Sequence, residues 1–284
     1  MANTRDLKNR IESIKNTKQI TNAMKMVAAS KLRKSQDKII NARPYANYID
    51  VMLRTLKMRN KSNLHQILND KIENKKEILV IVTADRGLCG AFNALIIKEA
   101  LHYLKDKSEV DLICIGKKGY DFFKKTEYKI IEKYLGLFNE MDFTSSKSIA
   151  WNMLDRFMNK EYGKINVLFN EFKSVIQNNI VIKQILPIIP NESDVVNGTD
   201  FIYEPDENTI VEELGRKYVD VELWRMLLES SAAEQGSRMT AMDNATENAS
   251  DLIDHLTLQY NRVRQASITT EIIEIASGAE AIKQ

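Results

Sequence analysis

No glycine occurs before Gly87, Pro44 is the only proline before Pro187, and no proline follows Pro205. A chain so sparsely punctuated at both ends is expected to form long helices there, because Gly and Pro are the residues that interrupt them. The two ends also carry opposite charge. Residues 1–60 hold fourteen Lys or Arg against four acids, a net +10, whereas residues 204–284 hold seven against sixteen, a net −9. Uninterrupted helices of ~55 and ~75 residues would extend roughly 80 and 110 Å. A long helix gains little alone in water, so each needs a partner, and opposite charge favours their pairing.

The whole chain of 284 residues has a net charge of only +2, which hides this asymmetry. That length suits one to two domains with a real core. With Cys89 and Cys114 the only cysteines, a disulfide framework is excluded and a reducing compartment is expected. No apolar run approaches the ~20 residues needed to span a bilayer. Charges begin at Arg5 and Asp6, so the N-terminus does not read as a secretory signal.

Leu7, Ile11, Ile14, Ile20, Met24, Val27 and Leu32 follow approximate three-four spacing, and Met52, Leu53 and Leu56 continue an apolar face. Lys18 and Thr21 fall where a strict heptad wants apolar residues. Pro44 is expected to kink this helix or divide it in two. In the other arm, steps of four and three from Gln235 reach Met239, Met242, Thr246, Ala249, Ile253, Leu256, Tyr260 and Val263, a coiled-coil register. Because a compact middle returns the chain, the two arms are expected to pair antiparallel. The picture is a two-helix rod with a globular body at one end.

The middle has a different period. Residues 78–83 (ILVIVT) form a continuous apolar run, as for a strand covered on both faces. A turn over 85–90, a helix over 91–105 and a strand over 110–115 follow, then a short helix after Gly116. Residues 128–131 read as a weaker strand, 146–158 as a helix, and 165–169 with 180–185 as a strand pair. Strand and helix alternating in this way predict an α/β class fold, a Rossmann-like domain with a parallel sheet and right-handed crossovers. The expected organisation is a coiled-coil helix over 1–60, a polar linker over 61–76, an α/β domain over 77–200 and a second coiled-coil helix over 205–284.

Candidate chemistry is sparse. The turn Asp85-Arg86-Gly87-Leu88-Cys89-Gly90 lies between strand and helix, where α/β proteins take phosphates, yet it is neither G-x-G-x-x-G nor a Walker loop. A tight turn or a partner contact is the simpler reading. Cys89 has no base in view and reads as a small buried hydrophobe. His65, His102 and His255 show no metal spacing. Lys31, Arg33, Lys34 and Lys38 form a basic cluster without interleaved aromatics, which fits a solvated face or an acidic protein partner better than nucleic acid. The eleven methionines read mostly as helix packing, with an exposed Met24 or Met26 able to make adaptable contacts.

Four separated blocks then carry a resemblance. Residues 10–45, RIESIKNTKQITNAMKMVAASKLRKSQ…ARPY, resemble the opening helix of the gamma subunits of rotary ATP synthases. TADRGLCGAFN at 83–93 resembles that family's first strand-to-helix turn, AAEQGSRMTAMDNATENA at 232–249 its mid-helix block, and ITTEIIEIASGAEA at 268–281 its C-terminal pattern. Residues 120–200 match mainly by position and texture.

The resemblance implies a rotor shaft without catalytic residues, cofactor or metal of its own, in a proton- or sodium-driven enzyme. Its implied partners are three alpha and three beta subunits, the epsilon subunit and the membrane c-ring. Lys18, Met24, Lys25, Gly87 and Leu88 would meet an acidic lever loop of beta, and Arg264 and Gln265 would form a polar latch with beta. Phe201, Tyr203 and Glu204 would lie at the foot, near the c-ring and epsilon. The middle region lacks the inserted cysteine pair of chloroplast gamma subunits, so a bacterial protein peripheral to the cytoplasmic face of the cell membrane is expected. Two other readings stay open: a non-rotary coiled-coil scaffold, which predicts stable self-association, and an α/β nucleotide-binding enzyme using the 85–90 turn.

Overall fold

The computed structural model describes residues 4–59, 66–69, 74–107, 109–139, 141–175, 177–189, 204 and 206–282. Its elements are α1 (Thr4–Arg59), a 3-10 turn (Gln66–Leu68), β1 (Glu77–Val82), α2 (Phe92–Leu104), β2 (Val110–Ile115), α3 (Lys117–Phe123), β3 (Ile130–Tyr134), α4 (Phe143–Met158), β4 (Lys164–Phe172), β5 (Asn178–Leu186) and α5 (Glu207–Ile282). They form two compact units, one of residues 1–27 with 239–284 and one of residues 28–238.

The larger unit is built on a sheet of order β3-β2-β1-β4-β5. Neighbours from β3 to β4 run parallel, but β5 runs antiparallel to β4. The sheet is therefore mixed and not parallel throughout, because β4 and β5 are joined by a turn too short for a crossover helix. Strand β3 also lies later than the sequence indicates, at Ile130–Tyr134. Its pairing with Leu112–Ile115 decides that, overriding the weak local apolar signal.

β1 is buried almost throughout, and its side chains alternate between two cores as the pleat requires. Leu79 and Ile81 face Ile96, Ala100, Leu104 and Phe123 of α2 and α3. Ile78, Val80 and Val82 face a core shared with Met153 and Phe157 of α4, Leu53 and Leu56 of α1, and Val219, Leu223 and Leu227 of α5. The polar stretch after α1 is not wholly a spacer: Ile67 and Leu68 enter this same core, and Ile188 donates its backbone N–H to the Ile67 carbonyl at 2.8 Å.

α1 is one helix with Pro44 inside it, so the proline does not divide it. Pro44 is exposed, whereas Ile39, Ala46 and Ile49 on either side are buried. The missing N–H thus faces solvent, and packing on the opposite side holds both halves.

In the smaller unit, the two helices pair antiparallel. Thr21 Oγ1 lies 2.7 Å from Thr246 Oγ1, the Lys18 ammonium donates to Ser250 Oγ at 3.0 Å, and Lys25 meets Asp243 at 2.5 Å. Lys18 and Thr21 therefore occupy seam positions, as their register indicates. Ile20 and Val27 do not: they are 61% and 57% exposed. Along α5, Met242, Ala249 and Leu256 are buried, and Ile253, Tyr260 and Val263 are half-buried.

Candidate functional site

The sequence offers no catalytic motif, so the features of interest are exposed groups held rigidly from beneath. The β1–α2 turn is the first. Leu88 has φ +62° and is 62% exposed. A leucine rarely adopts that left-handed conformation unless its surroundings impose it. Here they do. Cys89 beside it is buried with Ala84, Phe92 and Ala233, Gly87 offers its carbonyl to Arg238 of α5 at 3.2 Å, and Asn93 accepts from the Ala84 N–H at 2.9 Å. Burial pushes the Cys89 thiol above its ordinary pKa, which opposes thiolate chemistry. The same cause pushes Cys114, inside β2, up to about 12.

The turn also holds an amide cradle. Asp85 Oδ1 accepts from the backbone N–H groups of Lys117 at 3.0 Å and Gly136 at 2.9 Å, and Oδ2 from that of Phe138 at 3.4 Å. A phosphate entering here would have to displace this carboxylate.

α5 contributes a line of buried charge beneath these elements. Burial pushes Glu222 up, but Arg225 and Lys183 outweigh it and hold the carboxyl below its ordinary value. Glu229 and Glu234 go the other way, raised by burial that Arg225 and Arg238 only partly offset. The composition of α5 displays these charges, but sequence periodicity alone does not separate buried carboxylates from solvated ones.

The second feature is the free stretch of α5. Every residue from Arg264 to Gly278 is exposed, with Ile268, Ile272, Ile273 and Ile275 47–73% accessible. Ile268, Ile272 and Ile275 recur at four- and three-residue steps and so share one helix face. The expected latch residues Arg264 and Gln265 begin this stretch, and the Arg264 guanidinium lies 5.9 Å from the Tyr260 ring centre.

The remaining expected contact residues divide between the units. Lys18 and Lys25 are engaged across the seam by Ser250 and Asp243. Met24 is half-buried, whereas Met26 is 63% exposed. Gly87 and Leu88 share the turn of the other unit. Glu204 is exposed, while Phe201 and Tyr203 lie outside the described residues.

A family model described as ATP synthase matches residues 3–282. The gamma chain of ATP synthase from Prosthecochloris aestuarii is 46% identical over 290 residues, covering 100% of this chain and 99% of its own length. The chain belongs to the ATP synthase gamma family. The gamma chain from Chlorobaculum parvum is 44% identical over 292 residues, with both chains covered completely. Among solved structures, a chain of the Euglena gracilis mitochondrial ATP synthase (the OSCP/F1/c-ring assembly in rotational state 3) superposes with a TM-score of 0.71 at 20% identity, covering 98% of this chain and 94% of its own. A chain from the central stalk and c-ring of the Tetrahymena thermophila mitochondrial enzyme gives 0.62 at 24%, covering 80% of this chain and 99% of its own. At those identities the likeness is one of fold. In this family the gamma chain is a non-catalytic subunit.

Proposed function

We propose that this chain is the central rotor subunit of a bacterial F-type ATP synthase, standing inside three alpha–beta pairs and coupled at its foot to epsilon and the c-ring. Family membership over the full length supports the rotor role. The observation that carries the mode of action is the exposed stretch of α5 from Arg264 to Gly278, whose isoleucines have no cover among the described residues. An apolar helix face of that kind calls for a partner surface.

Rotation would present a different face of an asymmetric shaft to each beta subunit. A face that interacts better with one beta conformation than another shifts the balance between them, and ion flow through the ring is thereby coupled to ATP synthesis. Lys18, Met24, Lys25, Gly87 and Leu88 would meet the acidic lever loop of beta, and Arg264 and Gln265 would latch to beta further along α5. Phe201, Tyr203 and Glu204 would contact epsilon and the c-ring. The Lys25–Asp243 pair would release Lys25 to an acidic group of beta at little cost, because its side chains are 37% and 57% exposed and such pairs contribute only ~1 kcal/mol or less. No described helix is long and apolar enough to cross a membrane, so attachment to the cytoplasmic face would run through the c-ring.

Co-expression with the matching alpha and beta subunits, followed by native mass and ATPase assays, tests this reading. One copy per three alpha–beta pairs, with turnover that depends on it, is expected. Equal turnover without the chain, or a separate homo-oligomer of it, would favour the scaffold instead.

A further inference from the structure

In sheets of this order, with β1 flanked by β2 on one side and β4 on the other, the carboxyl end of β1 is where the winding direction changes and where ligands are ordinarily held. Asp85 lies three residues beyond the end of β1, and its carboxylate takes up that position. The three amides it collects belong to the turns following β2 and β3: Lys117 after the first, Gly136 and Phe138 after the second. One side chain therefore ties together the carboxyl ends of three parallel strands.

The tie is reinforced from beneath. Thr83 Oγ1 accepts from the Gly119 N–H at 2.8 Å and donates to the Ile115 carbonyl at 3.2 Å. Gly116, at φ +93°, brings its backbone so close to the Thr83 carbonyl that a Cβ there would sit 1.9 Å from it. Lys118 donates its N–H to the Ala84 carbonyl at 3.1 Å. On the far side of the turn, Arg238 holds Gly87. Leu88 follows that second anchor, in its left-handed conformation and pointing to solvent.

We propose that Asp85 is a positioning residue whose carboxylate serves as a built-in anion, filling an amide cradle that would otherwise take a ligand's oxyanion, and so locking the strand ends into a rim that holds Leu88 outward. A carboxylate supplies two acceptor oxygens to converging N–H groups and fixes them better than a neutral side chain does. Its consequence for the complex rests on the reading of Leu88 as a partner contact.

The test is amide hydrogen exchange on the full chain, as wild type, Asp85→Asn and Asp85→Ala, with formate titrated against chloride at matched ionic strength. Asp85→Ala is expected to speed exchange at Lys117, Gly136 and Phe138, and across residues 86–90, by about tenfold. Formate, a free carboxylate able to enter the vacated cradle, is expected to restore protection in Asp85→Ala and to leave wild type unchanged. Asp85→Asn retains Oδ1 and loses only Oδ2, so it should release Phe138 while keeping Lys117 and Gly136 protected. This arm stands even if the alanine variant folds poorly. Wild-type exchange at all three amides in Asp85→Ala, or lost protection that formate fails to restore, would overturn the proposal. ATPase turnover of the assembled complex separates the two readings. If exchange behaves as expected but Asp85→Ala turns over like wild type, Leu88 is not the partner contact and the positioning role of Asp85 stands.

Discussion

Arg238 and Glu234 form a 2.6 Å ion pair one helical turn apart on α5, with side chains only 10% and 6% exposed. The same guanidinium reaches the Gly87 carbonyl, so a buried charge pair and a surface turn depend on one residue. Removing one partner of such a pair leaves an uncompensated charge, which costs far more than the pair contributes. Arg238→Ala should therefore destabilise the chain by about 3–5 kcal/mol. The double variant Arg238→Ala/Glu234→Gln should recover a substantial part of that, since a neutral amide is cheaper to bury. Urea unfolding of the three proteins checks this, and a single variant within about 0.5 kcal/mol of wild type would mean that Glu234 finds another partner.

Asp220 gives a pH dependence of known sign. Burial pushes its carboxyl above the ordinary value, and Lys147, Trp151 and Arg216 only partly oppose this. One carboxyl oxygen is buried without a hydrogen-bond partner among the described residues. A carboxyl raised in the folded state binds its proton more tightly there than in the unfolded chain. Its contribution is fully present below the unfolded-state pKa and is lost as pH rises through the folded-state value. Asp220→Asn should accordingly raise the melting temperature at neutral pH and leave it little changed in acid. Glu222, held low by Arg225 and Lys183 against burial, contributes in the opposite sense: its stabilisation is lost as pH falls through its lowered pKa. Melting temperature against pH for Asp220→Asn and Glu222→Gln should diverge in these two directions.

Leu53 and Ile20 separate what spacing reveals from what packing decides. Both fall in the apolar pattern of α1, yet Leu53 is fully buried and Ile20 is 61% exposed. Leu53→Ala opens a cavity between α1 and the sheet and should cost about 2–5 kcal/mol. Ile20→Ala should stay within about 0.5 kcal/mol. Chemical unfolding of the two variants measures the difference directly.

The two arms and their antiparallel pairing were legible because breakers are absent and charge is segregated. The seam of α5 from Met239 to Val263 is legible because small and bulky residues there follow one register, and each of them is buried or half-buried. In α1 the strongest apolar residues misled: Ile20 and Val27 face out, and the polar Lys18 and Thr21 carry the seam through bonds to Ser250 and Thr246. The direction of β5 and the position of β3 depend on strand pairing, which local periodicity does not encode. The Asp85 cradle was hidden for a similar reason. Its three amides come from residues 32 to 53 positions further along the chain, and backbone donors leave no mark on the sequence.

Arg264 and Gln265 offer the sharpest test of the proposed contact with beta, because among the described residues their side chains make little of the packing of this chain. Both are exposed, on the part of α5 beyond the last half-buried seam residue, Val263. The contact of Arg264 with the Tyr260 ring, at 5.9 Å, is exposed and worth about 0.5–1 kcal/mol at most. Arg264→Ala with Gln265→Ala should therefore leave the unfolding of the chain nearly unchanged and allow the complex to assemble. A polar latch made only at particular rotary positions would still be lost, and a few kcal/mol of coupling correspond to one or two orders of magnitude in rate. ATP synthesis and hydrolysis by the assembled complex should both fall, by roughly tenfold or more. Native mass establishes assembly, and steady-state assays in both directions measure turnover. Normal turnover in a fully assembled complex would remove these residues from the contact and leave the isoleucine face from Ile268 onward as the part of α5 that meets its surroundings.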